Sequence, residues 1–312
     1  MSSAISGIFN KIPKKKNSHV YGWSKVWSEN LGVELHQDPI VVDTLYLDHG
    51  ANFSGGLNLF GGFTQDLKDR IDIMLECTRI VSLDREMPDY GNMLKSRKDV
   101  QDKNWCDQIT TKLSEAKALV SSDLEYDWLA IGDSHTAAYS RNNSCVVKQD
   151  GTTLFGQNNS DFEYIRSHLK KRDFKGLTIS LGNIDVRHHI CRLESDWKSM
   201  YDELFRFGDS LSIDVEYSVP LPIEYEQRKL PKSGYYKGKP FWGSREERLD
   251  LVYSIIEYMK SLDINYVQPP NEWYIMDCEE YAKTYMEFGG SVHLSPEYYR
   301  RYNWGLPSNT LF

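Results

Sequence analysis

Three features are missing from this sequence of 312 residues: a long hydrophobic run, zinc-type cysteine spacing and an excess of positive charge. No stretch reaches the roughly 18 apolar residues that span a membrane, which excludes a membrane-spanning protein, and we expect no membrane partner. The first 16 residues are rich in serine and then in lysine, without the apolar core of a signal peptide. We therefore expect no secretion by that route.

Cysteine is scarce, and the five cysteines are scattered along the chain without CxxC or Cys/His pairs of zinc spacing. They are Cys77, Cys106, Cys145, Cys191 and Cys278. We interpret them as reduced thiols of a cytoplasmic protein, mostly in core positions. The net charge of −8 argues against a generally basic nucleic-acid binder and leaves room only for local basic patches.

What the chain does contain is the composition of an ordinary globular protein, with 40% hydrophobic and 26% charged residues. Apolar, β-branched segments alternate with helical patterns, which predicts an α/β fold: a three-layer parallel sheet flanked by helices. The predicted strands are 40–47, 79–83, 128–131, 178–181 and 213–219. The length suggests two domains or one large α/β unit with an extension.

We divide the chain into a flexible basic arm at 1–19, an N-terminal α/β extension at 20–122, and a second α/β domain at 123–312. The second domain carries a long insertion at 220–248. A loop of that length inside a compact domain is usually functional or disordered.

The motif that most directly indicates chemistry is the run from Trp128 to Thr136, in which an apolar strand leads into Gly132-Asp133-Ser134. This order places the Ser134 hydroxyl just beyond the carboxyl end of a strand, where open α/β sheets bind ligands. Free N–H groups at a helix N-terminus there would favour a developing oxyanion. Taken alone, the serine could simply cap the helix.

Two later segments add to this motif. The strand at 178–181 leads into Gly182 and Asn183, and His293 lies near the C-terminus. With serine first, Gly-Asn in the middle and histidine last, residues 125–312 resemble the SGNH (GDSL-like) hydrolase superfamily. The resemblance implies a flavodoxin-like sheet, Ser134 as nucleophile and His293 as base. It implies an oxyanion hole made of Ser134, Asn183 and a second-block glycine, either Gly151 or, as we prefer, Gly156.

The third block departs from the common Gly-x-Asn-Asp pattern, because Asn183 directly follows Gly182. The run GlyAsnIleAspValArg is closer to a variant subgroup with Gly-Glu-Ile-Asp-x-Arg at this place, which makes Asp185 and Arg187 candidate site residues. The next two residues, His188 and His189, are neighbours that point in different directions. We therefore expect them to form no metal site, assign them surface or packing roles, and expect no cofactor.

The triad acid is missing from its usual place, because position 290, three residues before His293, is glycine. Asp277 or Asp185 could substitute, or a Ser-His dyad could operate. Serine needs a base within hydrogen-bond reach, and histidine serves best near neutral pH. We expect Asp133 and His135, the neighbours of Ser134, to contact the substrate.

The insertion combines cations with aromatic rings: Arg228, Lys229, Lys232, Lys237, Lys239, Arg245, Tyr235, Tyr236, Phe241 and Trp242. This mixture suits a phosphate, nucleotide or nucleic-acid partner, with Tyr235, Lys237, Trp242 and Arg245 as contacts. A solvated loop explains it equally well.

A glycine-rich run at 48–56 offers a second binding element, with Asp48, His49 and Asn52 as polar contacts. Its backbone amides could cradle a phosphate, or it could be a tight turn.

These observations predict serine-dependent ester hydrolysis or acyl transfer through an acyl-serine. The partner would be a small ester or acyl donor, phosphorylated or sugar-containing. The alternative is a sugar-, nucleotide- or DNA-binding group-transfer protein that keeps an SGNH-like scaffold without the full triad.

Overall fold

The computed structural model describes residues 2–8, 24, 27–36, 38–48, 62–83, 86–119, 126–141, 144–190, 196–222, 237–239, 242–286, 292–295, 298, 301 and 304. The chain divides into two compact units, Met1–Asp123 and Leu124–Phe312. Each unit contains a five-stranded sheet in which every strand pair is parallel. The predicted α/β class is confirmed, with the predicted strands divided between two sheets.

The first unit has the strand order β2-β1-β3-β4-β5. Its strands are β1 Ser3–Ser6, β2 Glu34–Leu35, β3 Thr44–Leu47, β4 Arg79–Leu83 and β5 Lys117–Leu119. Its helices include α1 Gln65–Glu76, α2 Tyr90–Lys95 and α3 Lys103–Ser114. The Thr64 side chain caps α1 by accepting the Leu67 N–H, and the buried stripe of Leu67, Ile71 and Met74 packs into the core.

Strand β1 corrects the expectation of a flexible arm at 1–19. Ser3–Ser6 lies between β2 and β3, with Ala4 and Ile5 buried. The signal was missed because only two apolar residues stand between two serines, too few to show a periodicity. Residues 9–19 lie outside the described residues.

The second unit has the strand order β10-β9-β8-β6-β7. Its strands are β6 Trp128–Gly132, β7 Cys145–Lys148, β8 Gly176–Ser180, β9 Asp214–Ser218 and β10 Tyr266–Val267. Its helices are α4 Thr136–Tyr139, α5 Leu154–Asn159, α6 Glu163–Leu169, α7 Trp197–Asp209, α8 Arg245–Ser261, α9 Asn271–Ile275 and α10 Cys278–Tyr285. A π-helical turn occupies Asp185–His189.

The core of the second unit forms on the face of the sheet that carries Leu129, Ile131, Leu177 and Ile179. Helices α7 and α8 contribute buried apolar side chains to the same cluster. Burial of this sheet face leaves the carboxyl ends of the strands to carry the polar residues. In the described part of the chain, no helix combines the length and the hydropathy needed to cross a membrane.

The carboxyl ends of β6 and β8 come very close at Gly132. Its backbone has φ 153°, and a Cβ atom there would lie 1.9 Å from the Ser180 carbonyl oxygen. The absence of a side chain lets the N–H of Asp133 donate to that oxygen at 3.0 Å. Glycine is therefore required at the turn that precedes Ser134.

Replacement of Gly132 by alanine should lower the free energy of unfolding by about 2–5 kcal/mol, through backbone strain and overlap with Ser180. The matched control is Gly151→Ala, at φ 80° with open space around the added carbon. That control should cost only about 1 kcal/mol. Urea unfolding of the three proteins measures the difference, and equal losses for both variants would contradict the close strand contact.

Candidate active site

Ser134 and His293 meet at the carboxyl edge of the second sheet. The Ser134 Oγ lies 3.0 Å from His293 Nε2, so the expected contact between them is confirmed. Ser134 follows β6 by two residues, and the neighbour of His293, Leu294, is buried and bridges Met286 beyond α10. The N–H of Ser295 donates to Tyr285 O at 2.8 Å, which fixes the backbone just after the histidine.

A buried pair, Asp133 and Asn183, lies beneath the serine. Asn183 Nδ2 donates to Asp133 Oδ2 at 3.0 Å, and its Oδ1 accepts the N–H of Leu221 at 2.9 Å. Asp133 Oδ1 accepts the N–H of His135 at 2.8 Å. These bonds fix the orientation of the Asn183 amide and the turn that carries Ser134. Leu221 takes part only through its backbone, and no sequence signal indicated it.

Asp133 is fully buried, which corrects the expectation that it contacts substrate. Removal from water raises the pKa of Asp133 to about 7, against the opposing effects of the His135 N–H, the Asn183 amide and the positive charge of Arg187. The carboxyl therefore holds the turn together and titrates near neutral pH.

His135 and Arg187 lie beside the serine-histidine pair. The His135 ring centroid is 5.1 Å from that of His293, and its Nε2 lies 3.4 Å from Arg187 Nη2. Because a guanidinium can only donate, His135 Nε2 is the acceptor and the ring is neutral at that nitrogen. Both side chains are more than nine-tenths buried, so they form the wall of the site.

Neither expected triad acid contacts His293. Asp185 accepts the N–H groups of Leu154 at 2.8 Å and Phe155 at 2.9 Å, and it also contacts His189. Its carboxylate therefore accepts hydrogen bonds from the first N–H groups of α5. Such groups have no partner within their own helix. This corrects the assignment of Asp185 as the triad acid.

Asp277 is exposed and caps α10, where it accepts the N–H groups of Glu279 at 2.9 Å and Glu280 at 3.2 Å. Those donors hold the pKa of the Asp277 carboxyl below its ordinary value. A side chain committed to a helix N-terminus in this way does not orient His293, which corrects the second candidate acid.

The N–H of Gly156 also has another hydrogen-bond partner. Gly156 lies in the first turn of α5, and its N–H donates to the capping Thr153 Oγ1 at 2.9 Å. This corrects its assignment to the oxyanion hole, and the alternative, Gly151, occupies an exposed turn. By contrast, the N–H of Ser134 makes no hydrogen bond to any described residue. The second amide hydrogen of Asn183 is also available, because an NH₂ group carries two donors.

The described part of the insertion is tied to the site by its backbone. The N–H of Trp242 donates to Arg187 O at 3.0 Å, while its side chain is 47% exposed. Arg248 donates to the carbonyls of Trp242 and Gly243. Arg245, expected to bind ligand, donates to Met276 O at 3.0 Å and so helps to hold α8 against the chain before α10.

The remaining expected contacts fall into three groups. Lys237 is exposed, and Tyr235 lies outside the described residues. Asp48 belongs to the first unit, where it follows β3 and accepts the Ser24 hydroxyl; His49 and Asn52 are outside the described residues. His188 and His189 are buried, and the His189 ring stacks on Phe155 at 5.3 Å.

Metal ligands do not gather anywhere in the described ranges: no group of three or more His, Cys, Asp or Glu side chains there could hold an ion. Four of the cysteines, Cys77, Cys106, Cys145 and Cys278, are free thiols, and three of these are buried.

Comparison with known proteins gives few matches. No family model matches the chain, and no curated protein matches it. Among solved structures, it is similar to a presumed platelet activating factor from Streptococcus pneumonia, with a TM-score of 0.40 and 16% sequence identity. The similarity covers 61% of this chain and 85% of that chain.

Titration of Asp133 should make folding stability fall as pH rises. The folded chain keeps a proton up to about pH 7 that the unfolded chain releases near its ordinary pKa of 3.8. Between those values, the stability of the unaltered chain relative to Asp133→Asn should therefore decline by on the order of a few kcal/mol, then level off.

The measurement is urea unfolding of both proteins across that pH range, with Asp127→Asn as the control. Asp127 is an exposed aspartate of the same unit that pairs with Lys175. The free energy of unfolding of Asp127→Asn should follow that of the unaltered chain at every pH. If the difference between the unaltered chain and Asp133→Asn did not change with pH, the buried carboxyl would stay ionised.

Proposed function

We propose that this chain is an SGNH-like serine esterase or acyltransferase. The observation that carries the proposal is the 3.0 Å contact between Ser134 Oγ and His293 Nε2 at the carboxyl edge of a parallel sheet. That distance allows direct proton transfer from the hydroxyl to the ring nitrogen. The order of serine, Gly-Asn and histidine along the chain supports the same interpretation.

The proposed reaction begins when Ser134 Oγ attacks an ester carbonyl while His293 Nε2 accepts its proton. The carbonyl oxygen becomes an oxyanion, which the Ser134 N–H and the second Asn183 amide hydrogen would stabilise. One such donor lowers the barrier by about 3–4 kcal/mol. His293 then protonates the leaving oxygen, which breaks the ester bond and leaves an acyl-serine.

In the second half of the reaction, His293 removes a proton from water or from an acceptor hydroxyl or amine. The new nucleophile attacks the acyl carbon, and the serine leaves with the proton from the histidine. Hydrolysis and transfer differ only in which nucleophile reaches the acyl-serine, so one site serves both.

We do not assign the role of triad acid to either expected aspartate. Asp185 and Asp277 are both bound to helix N-termini. Orientation of the His293 ring would come from its neighbour His135, at 5.1 Å, and from the backbone bond that fixes Ser295.

The substrate class that fits the insertion is a small phosphorylated or sugar-containing ester. Trp242 offers a half-exposed ring, and its backbone is anchored to Arg187 in the wall of the site. Lys237 is an exposed cation in the same insertion. A ring and a cation together favour stacking on a substrate and pairing with its phosphate. A nucleotide or nucleic acid carries the same groups.

A fluorophosphonate probe should label the chain on Ser134, because the probe reacts only with a serine that a base activates. Ser134→Ala should abolish both labelling and ester turnover, and His293→Gln should reduce labelling at least a hundredfold. Ser160→Ala is the control; this serine bonds to Gln157 O in another turn and should leave labelling unchanged. Intact-protein mass spectrometry measures the fraction of the chain that carries the probe.

Full activity in Ser134→Ala would reject the serine mechanism. The chain would then be better described by the alternative, a sugar-, nucleotide- or DNA-binding group-transfer protein on the same scaffold. The commitment of both expected acids to helix caps is the observation that favours this alternative.

Trp242→Ala should raise KM about fivefold for an aryl ester that carries a phosphate group, because a stacking contact contributes on the order of 1 kcal/mol. The kcat value should change by less than about threefold, since the ring binds substrate without touching the reacting atoms. Tyr253→Ala, which removes another exposed ring of the same unit, is the control and should leave both constants unaltered. A fall in kcat with KM unchanged would place Trp242 in the chemical step instead.

A further inference from the structure

A buried carboxylate, Glu216, lies on the face of the second sheet that is opposite the apolar core. It belongs to β9 and is only 6% exposed. Successive side chains of a strand point to opposite faces, and its neighbour Tyr217 packs into the core cluster. A charge buried this deeply needs partners, so its contacts show which parts of the chain it holds together.

Side chains bind both carboxylate oxygens of Glu216. Its Oε1 accepts the Thr178 hydroxyl at 3.0 Å and Arg301 Nη1 at 2.8 Å, and its Oε2 accepts Arg141 Nη2 at 3.2 Å. The Trp128 ring joins two of these partners. Its Nε1 donates to Thr178 Oγ1 at 2.8 Å, and the Arg141 guanidinium lies 3.5 Å from the ring centre. The carboxylate therefore lies at the centre of a connected polar cluster.

Two partners of Glu216 belong to segments that carry the nucleophile and its proposed oxyanion donor. Arg141 follows α4, the helix that begins just after Ser134. Thr178 lies in β8, the strand that leads to Asn183. Glu216 therefore connects these two segments on the face of the sheet opposite the core.

The third partner, Arg301, belongs to the part of the chain that follows His293. In that part, the N–H of Trp304 donates to Arg301 O at 3.2 Å. The Trp304 ring in turn contacts the ring of Tyr139, at the end of α4, with their centres 5.3 Å apart. An ion pair and a ring contact thus both join the chain after His293 to the chain after Ser134.

The charge of Glu216 is what keeps the two arginines in one place. A single carboxylate lies between the guanidinium groups of Arg141 and Arg301, which are both partly exposed. Without the carboxylate charge, two positive groups would face each other and repel. The loss would therefore act on both segments at once, and not on one contact alone.

We propose that Glu216 is a positioning residue that sets the distance between Ser134 Oγ and His293 Nε2. The inference rests on the function proposed above, because it concerns the same site. Proton transfer requires hydrogen-bond distance, and a displacement of about 1 Å lowers a rate on the order of a hundredfold. Glu216 acts through Arg141 and Arg301, and not on the reacting atoms themselves.

The first test measures the rate of fluorophosphonate labelling against pH in the unaltered chain and in Glu216→Gln. In the unaltered chain, the rate should rise as His293 loses its proton and then level off. In Glu216→Gln, the rate should be at least tenfold lower and should keep rising with pH, because hydroxide then replaces the displaced base. A loss of stability alone would lower the active fraction without changing the shape of this profile.

Arg301 provides a second pair of variants, which decides the question if Glu216→Gln does not fold. Arg301→Gln should slow labelling as Glu216→Gln does. Arg301→Lys should label within about threefold of the unaltered chain, because a single nitrogen makes the contact and lysine keeps the charge. The double variant should label no more slowly than the slower single variant, because both changes remove one contact.

Ile165→Ala is the control for stability. This side chain of α6 is completely buried in the core cluster and makes no part of the Glu216 cluster. Its truncation should lower the melting temperature while the labelling rate and the shape of the pH profile stay unaltered.

Hydrogen–deuterium exchange tests the inference without reference to activity. The N–H groups of Ser295 and Tyr298, which donate to backbone carbonyls near His293, should exchange at least tenfold faster in Glu216→Gln. The N–H groups of α6 should exchange at the unaltered rate.

Unaltered labelling in Glu216→Gln or Arg301→Gln would overturn the inference, and so would an equal change of the pH profile in Ile165→Ala. Failure of the proposed function gives a different result, since the unaltered chain itself would then not be labelled at Ser134. In that case the exchange measurement decides: faster exchange near His293 in Glu216→Gln supports the positioning role, and unaltered exchange overturns it.

Discussion

The candidate active site depends on one close contact, between the ends of strands β6 and β8. Gly132 has no side chain, so the backbone of Asp133 comes within 3.0 Å of the Ser180 carbonyl oxygen. That bond brings the Asp133 carboxyl under the Asn183 amide, and the pair then fixes both the Ser134 turn and the direction of the amide. A side chain at Gly132 would overlap the Ser180 carbonyl oxygen and push the Ser134 turn away from Asn183.

This arrangement places a carboxyl group where it is costly to ionise. Burial raises the pKa of Asp133 to about 7, although two N–H donors and the charge of Arg187 oppose the shift. A buried ionisable group is weak evidence of a gain in stability, because an apolar core is often as stable. Local rules are commonly broken at functional sites, and this cluster fits that pattern.

The sequence allowed the α/β class, the strands that hold the site and the Ser134–His293 contact to be predicted, because apolar strands followed by polar residues mark the carboxyl edge of a parallel sheet. The sequence could not show which groups the carboxylates of Asp185 and Asp277 contact. Asp185 and Asp277 are the candidate substitutes for the missing triad acid, but N–H groups at two helix starts bind them instead. Such competition for a carboxylate is decided in three dimensions. Strand β1 escaped detection for a different reason, since four residues show no period.

The two units share one strand connectivity, and in each the order of the strands reverses next to the first strand. In each sheet the strands carry buried apolar side chains such as Leu129 and Leu45, while Asp133 and Asp48 lie just beyond the ends of β6 and β3. The point where strand order reverses is the place where two neighbouring connections leave in opposite directions and open a crevice. In the second unit Ser134 follows a strand at that point, and in the first unit Asp48 does, so one topology presents two different sets of polar groups.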